Sequence, residues 1–351
     1  MISVSIVIPV YNVSQYIDRC VDSILNQDNT NCDVECVFVN DHTQDDSMEI
    51  IHKKVDDYKG NIHFVFCSHE TNKGLSAARN TGLLAAKGDY IMFLDSDDDI
   101  TKDCLQKMSK VANDYPHADM ILGNVFHKKY GGLFFQPVKK VTLYNDNVNI
   151  LRDSFEGLLP IFAWNRLIRR NFLIEHSLFF VNGLLYEDMP WCYRLYSELD
   201  SMVVLPDVTY VYENNSSSIT NTTNERKESV LNSFCIIINY ILDHIYEKAW
   251  IDSMMYCFGL LLRTMDKASY YNSVEMFRVK IDIIKYRLLK QTFFSGKIFM
   301  FFFFLTAFKP LYHLYKFSCC RRYYNVIAKT VCKIELMIDK CCFRKTSQKR
   351  S

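Results

Sequence analysis

The sequence predicts an α/β protein, a doubly wound and mostly parallel sheet flanked by helices, followed by a C-terminal helical extension. Three observations predict it. Short apolar, β-branched runs alternate with helix-compatible stretches from residue 4 to residue 125, the pattern that builds a parallel sheet covered on both faces. Polar and acidic clusters follow several of those runs directly, as expected where strands end at a ligand-binding edge. Beyond residue 225 the alternation gives way to helical periodicity over Lys227–Lys248 and Trp250–Met265.

Taken in order, Val4-Ser5-Ile6-Val7-Ile8 reads as a central strand, and Pro9 is expected to stop its ladder. Pro9-Val10-Tyr11-Asn12 follows as a loop at the strand's C-terminal edge. Between Ser14 and Asn26, apolar Ile17, Cys20, Val21, Ile24 and Leu25 fall on one helix face, with Ser14 placed to cap it. Glu35–Val39 is the second strand and ends in Asn40-Asp41-His42-Thr43-Gln44-Asp45-Asp46. A carboxylate there can accept from a base or ribose donor, because it shares the sheet edge of Pro9. Ile50–Tyr58 continues a helix and Ile62–Cys67 is the third strand, completing a βαβαβ alternation.

The most informative stretch is Asn72 to Ile100. Leu75–Lys87 is helix-compatible, carries Arg79 and Asn80 in its first half, and ends at Gly88 as a C-cap. A helix opening at a sheet edge offers free N–H groups, and Arg79 adds a fork of donors for phosphate. Tyr90–Leu94 is a buried strand whose end carries Asp95-Ser96-Asp97. Two carboxylates one residue apart suit a hard divalent cation, although a bare Asp-x-Asp also occurs as a solvated turn. Leu105–Ala112 and Met120–Val125 read as helix and strand. Residues 131–147 are loop and hairpin material, and Ile150–Leu159 a short helix. In Leu184-Leu185-Tyr186-Glu187-Asp188-Met189-Pro190-Trp191 the proline suits a first helical turn, which puts Asp188 at a helix N-terminus. Such a residue serves catalysis or simple capping.

Asn72-Lys73-Gly74-Leu75-Ser76-Ala77-Ala78-Arg79-Asn80, then Gly88-Asp89-Tyr90 and Asp95-Ser96-Asp97-Asp98, resemble the signature of family 2 glycosyltransferases of the GT-A fold. The resemblance runs over about residues 2–222 and implies an inverting transfer from a nucleoside diphosphate sugar, UDP-linked by preference, to a saccharide or lipid-linked saccharide. It assigns the donor to Pro9, Val10, Tyr11, Asp41, Asn72, Gly74, Arg79, Asp95 and Ser96, and a Mg²⁺ or Mn²⁺ ion to Asp97 with Asp95. Asp188 becomes the general base, with Trp164, Asn165 and Glu187 along the acceptor side. A lone tryptophan such as Trp164 serves equally in a core. Family members usually read Asp-Asp-Gly-Ser-Thr-Asp where this chain has Asn40-Asp41-His42-Thr43-Gln44-Asp45, so the backbone at His42 is the point of departure. Residues 1–125 are expected to form a nucleotide-sugar half, 126–225 an acceptor half, and 226–351 the helical extension.

Composition narrows the class further. Hydrophobic residues make up 49% of 351, enough for a large core and against global disorder. G-x-G-x-x-G and the P-loop pattern are absent, which disfavours dinucleotide dehydrogenases and phosphate-loop NTPases. A nucleotide-sugar-binding protein without turnover is the alternative, given Asn40 and His42. A phosphatase using Asp95 as nucleophile is a third reading, disfavoured because its motif follows the fourth strand. Thirteen cysteines without C-x-x-C spacing fit reduced, buried thiols and no structural zinc. A cytoplasmic protein is expected, with no nucleic-acid partner. From Lys309 to Ser351 eleven Lys and Arg face only Glu335 and Asp339. With Phe299, Phe301, Phe302 and Phe304 just before it, this tail suits an anionic membrane surface, or alternatively a docked helix.

Overall fold

The computed structural model describes residues 2–28, 32–133, 138–155, 157–213 and 227–244, with 253–254, 257, 260–261, 283–284 and 286–288. The chain divides into two compact units, Met1–Asn221 and Thr222–Ser351.

In the first unit, β1 (Ile2–Val10), α1 (Ile17–Leu25), β2 (Cys32–Asn40), α2 (Ser47–Asp57) and β3 (His63–Ser68) form the expected alternation. There follow α3 (Leu75–Ala85), β4 (Tyr90–Phe93), the short β5 (Asp99–Ile100), α4 (Cys104–Asp114) and β6 (Met120–His127). Then come β7 (Gly132–Leu133), β8 (Thr142–Tyr144), α5 (Asn147–Phe155), β9 (Arg166–Arg169), α6 (Arg170–Glu175), α7 (Asp188–Glu198) and β10 (Met202–Tyr212). All ten strands join one sheet of order β3-β2-β1-β4-β9-β6-β10-β5, with β7 beside β6 and β8 beside β10. This single sheet runs through both expected halves, and β6 itself spans the boundary placed at residue 125.

The left half is parallel. Val10 pairs with Asn40, and Asn40 with Ser68, so β1, β2 and β3 end level. Phe93 pairs with Val7, and Leu94 N donates to Val7 O at 3.0 Å, which brings the end of β4 to the same edge. That alignment puts Tyr11 level with Asp41 and brings Asp95 to the same edge, level with Pro9. Pro9 does not end its strand as expected. It pairs with Val39 and β1 continues to Val10.

Three strands went unread in the sequence: the two-residue β5, β9 and β10. β9 is only four residues of alternating character, Arg166-Leu167-Ile168-Arg169, and wedges antiparallel between β4 and β6. β10 contains Pro206 and Asp207, both poor strand residues, and accommodates them through register shifts between Val204 and Val208 and again before Tyr210. Two end assignments also change. Ser14 does not cap α1, since Tyr16 holds that position and Ser14 N donates to Asp45. Gly88 is not the C-cap of α3, which is Ala86. It is small because β1 crosses it: a Cβ there would lie 2.7 Å from Ser5 N.

α3 lies flat on β1 and β2 because Gly82 permits the approach. A Cβ at Gly82 would come within 2.2 Å of Val7 Cγ1. In the second unit, α8 (Lys227–Asp243) is the longest described helix, and Arg287 bonds Asn239 and Asp243 on it. Eight cysteines among the described residues are free thiols. No helix among the described residues is long and apolar enough to cross a membrane. The basic tail and the aromatic run before it lie outside the described residues.

Candidate active site

The centre of the site is a buried arginine. Gly74, with φ 85°, turns the chain into α3, and one turn later Arg79 sits beneath the strand ends with 1% of its side chain exposed. A buried guanidinium must be paired to be tolerated, and this one is paired three times. Nη2 donates to Asp95 Oδ1 at 2.8 Å, and Nη1 to Glu187 Oε1 at 2.7 Å and Asp188 Oδ1 at 2.9 Å. Burial opposes its charge, but Asp95, Asp188 and Glu187 outweigh that and raise its pKa. Arg79 therefore differs from the sequence expectation. Its terminal nitrogens hold carboxylates, and phosphate binding by the same fork would compete with them.

Asp188 opens α7 as expected, but the turn before it is strained. Tyr186 has φ 58°, a region that costs a bulky residue energy, and it sends Glu187 and Asp188 together toward Arg79. The Asp188 side chain keeps 21% of its surface. Burial pushes its pKa up to about 7; Arg79 pulls it down, and Glu187 and Asp95 push it up again. A carboxylate at that value is matched to proton transfer near neutral pH.

The acidic strand end is fixed from two sides. Arg19 on α1 donates to the Asp97 backbone O at 2.8 Å and to Asp99 Oδ1 at 2.7 Å. Asp98 is buried, accepting from Tyr210 Oη at 2.7 Å and Glu213 N at 2.8 Å, and burial raises its pKa well above the usual carboxylate range. Ser96 is buried between these aspartates. Asp95 has 23% of its side chain exposed and only Oδ1 engaged, by Arg79. Its second oxygen and Asp97 are hard donors that fit a divalent cation. Among the described residues no group of three His, Cys, Asp or Glu side chains forms a cage by itself.

Toward β3, the expected donor residues form a second cluster. Pro9 and Val10 contribute backbone, Val10 O accepting from Asp41 N at 3.0 Å, while Tyr11 just beyond is 45% exposed. The Asp41 carboxylate accepts from Lys73 N and Gly74 N, and Asn72 Nδ2 reaches Asp41 O at 3.3 Å. His42 has φ 60°, the left-handed conformation that glycine adopts without cost. The chain thus adopts at His42 a backbone that a glycine would take without strain.

On the acceptor side, Trp164 offers no open platform. It is 5% exposed, with Phe162 stacked at 3.5 Å between ring centroids and Tyr210 at 4.3 Å. Asn165, at φ 58°, is spent on the sheet: its Nδ2 donates to Asn124 O at 3.0 Å and its Oδ1 accepts from Thr209 Oγ1 at 2.6 Å. Glu187 joins the Arg79 cluster. Sequence reasoning missed His69, which bonds Asp41, and Arg166, fully buried beside Cys192 and Tyr196. A histidine in a loop and an arginine in a short strand carry no periodic signal that would single them out.

Comparison with known proteins supplies independent findings. Residues 5–177 match the glycosyl transferase family 2 model. The chain is 32% identical over 223 residues to the uncharacterized glycosyltransferase EpsJ of Bacillus subtilis, covering 62% of each chain. It is 32% identical over 232 residues to the glycosyltransferase GlyA of Streptococcus pneumoniae, covering 64% of this chain and 32% of that one. The matched regions are thus under two thirds of these relatives' lengths. Among solved structures, TarS 1-349 of S. aureus in complex with UDP-GlcNAc superimposes with a TM-score of 0.62 at 19% identity, covering 88% of this chain and 92% of the other.

Proposed function

Through residues 5–177 the chain belongs to glycosyl transferase family 2, and from that premise we propose that it moves a sugar from a nucleoside diphosphate donor to a saccharide hydroxyl in cell-surface polysaccharide synthesis. The observation that carries this reading is the convergence of Asp95, Glu187 and Asp188 on Arg79 within 2.9 Å. Through Arg79, these hydrogen bonds join the strand end suited to a diphosphate with the carboxylate suited to proton transfer. The fold shared with TarS bound to UDP-GlcNAc favours a UDP-sugar as donor.

In an inverting displacement the acceptor oxygen attacks the anomeric carbon, the bond from that carbon to the diphosphate oxygen breaks, and the acceptor proton passes to Asp188. Held near neutrality by burial, Asp188 is ionised often enough to accept it. Arg79 keeps Asp188 and Asp95 at fixed separation, so the reacting groups meet without reorganisation. Asp97 with Asp95 would hold Mg²⁺ or Mn²⁺, which supplies neutralising charge for the diphosphate. Tyr11, exposed beside Asp41, is placed to stack on the base.

Two measurements test the reading. With a UDP-sugar and a saccharide acceptor, the wild-type chain should release UDP at a rate that rises with acceptor. Asp97→Ala should remove the Mn²⁺-dependent rise in melting temperature on adding UDP, while the protein without ligand melts as before; an unchanged rise would move the cation elsewhere. We propose also that the basic tail, with an excess of nine positive charges, holds the enzyme at an anionic membrane face.

A further inference from the structure

Away from the carboxylates on Arg79, a chain of three side chains crosses from β2 to α3. Asp41 is buried at the end of β2, and His69 lies just past the end of β3. His69 Nδ1 is 2.7 Å from Asp41 Oδ1, and its Nε2 is 2.9 Å from Thr81 Oγ1 on α3. A carboxylate accepts, so Nδ1 presents its N–H to Asp41, while Nε2 meets the Thr81 hydroxyl, which can serve it as donor or as acceptor.

The same network counts the acceptor positions that remain. A carboxylate offers about four. His69 and Lys73 N, the latter at 2.8 Å, fill the two on Oδ1; Gly74 N, also at 2.8 Å, fills one on Oδ2. One position is left, on Oδ2 of a residue whose neighbour past the end of β1 is the exposed Tyr11. Lys73 and Gly74 are in turn the entry to α3, which carries Arg79, so a rotation of Asp41 would loosen both the base side and the catalytic side.

We propose that His69 is a positioning residue of the donor site: clamped by Thr81, it fixes Asp41 so that a single acceptor position on Oδ2 stays open to the ring N–H of a uracil-type base. The idea rests on the donor reading above and adds the residue that sets base selection. Cytosine, whose corresponding ring nitrogen carries a lone pair, would meet Asp41 acceptor to acceptor.

The test uses the full chain, with UDP and CDP titrated separately by calorimetry in the presence of Mg²⁺ and each variant's melting curve recorded. His69→Asn carries an amide N–H near the position of Nδ1, whereas His69→Gln carries it near Nε2. A role confined to filling space would not separate them. The expected result is UDP binding about tenfold weaker in His69→Gln, the loss expected for one hydrogen bond to a charged group, with most of the affinity restored in His69→Asn. Wild-type protein should prefer UDP to CDP by at least about tenfold. Equal UDP affinity in the two folded variants, or equal binding of UDP and CDP by the wild type, overturns the proposal while the donor reading stands. Binding of neither nucleotide overturns both. If the His69 variants do not fold, Thr81→Val and Thr81→Ser decide: loss in the first and recovery in the second supports the clamp, and identical affinities overturn it.

Discussion

At the scale of single residues, the account turns on Arg79 and Asp188. One buried cation is shared there by three carboxylates, and burial lifts the Asp188 carboxyl above its ordinary range. Burial carries Asp188 to about 7. The sign for stability follows from linkage. A group whose folded pKa lies above its unfolded value stabilises the fold fully below the unfolded value, and that stabilisation is lost as pH rises through the folded one. The contribution of Asp188 should therefore fade between about pH 4 and 7, just as the group becomes competent as a base. The acceptor-dependent rate should accordingly rise with pH and level off above about 7. A rate independent of pH from 5 to 8 would remove Asp188 from the proton transfer. The residue types were legible in the sequence, because Asp95, Asp97 and Asp188 occur in recognisable strings. Their partners were not. That Arg79 faces carboxylates depends on where α7 begins relative to β4, a contact across more than a hundred residues.

Elements show the same division. The βαβαβ series was readable because continuous β-branched runs and 3.6-residue periods are local signals. β9 and β10 were not, since a four-residue strand gives too little pattern and Pro206 masks an eleven-residue one. His42 is a further case: its left-handed backbone is dictated by the loop in which Thr43 N donates to Asn40 Oδ1 and Gln44 N to Asn12 Oδ1, not by its own preference. Packing between elements yields a direct prediction. Gly82→Ala adds a methyl where Val7 Cγ1 already lies 2.2 Å from the ideal Cβ position, so α3 must shift or Val7 must leave its rotamer. Although alanine is the better helix former, the net effect should be a loss of about 1–3 kcal/mol. Thermal or urea unfolding measures it, and a variant as stable as the wild type would mean that α3 does not bear on β1 as described.

At the scale of the whole molecule, the proposed membrane attachment is a matter of charge. Residues before Lys309 are acidic in balance and the tail is strongly basic. Each basic group near an anionic surface contributes roughly 1 kcal/mol, and salt screens it. Co-sedimentation of the full chain should therefore require anionic lipid and weaken at high salt; indifference to lipid charge would dismiss the membrane role. In the proposed function, one edge of one sheet unites donor, leaving group and base. The measurement that tests it most directly compares Asp188→Asn with the wild type, following UDP release with donor and acceptor present and UDP-sugar affinity separately. Turnover should fall about 10²–10⁴-fold with donor affinity nearly unchanged. Turnover that survives the substitution, or donor affinity that collapses with it, would contradict the claim.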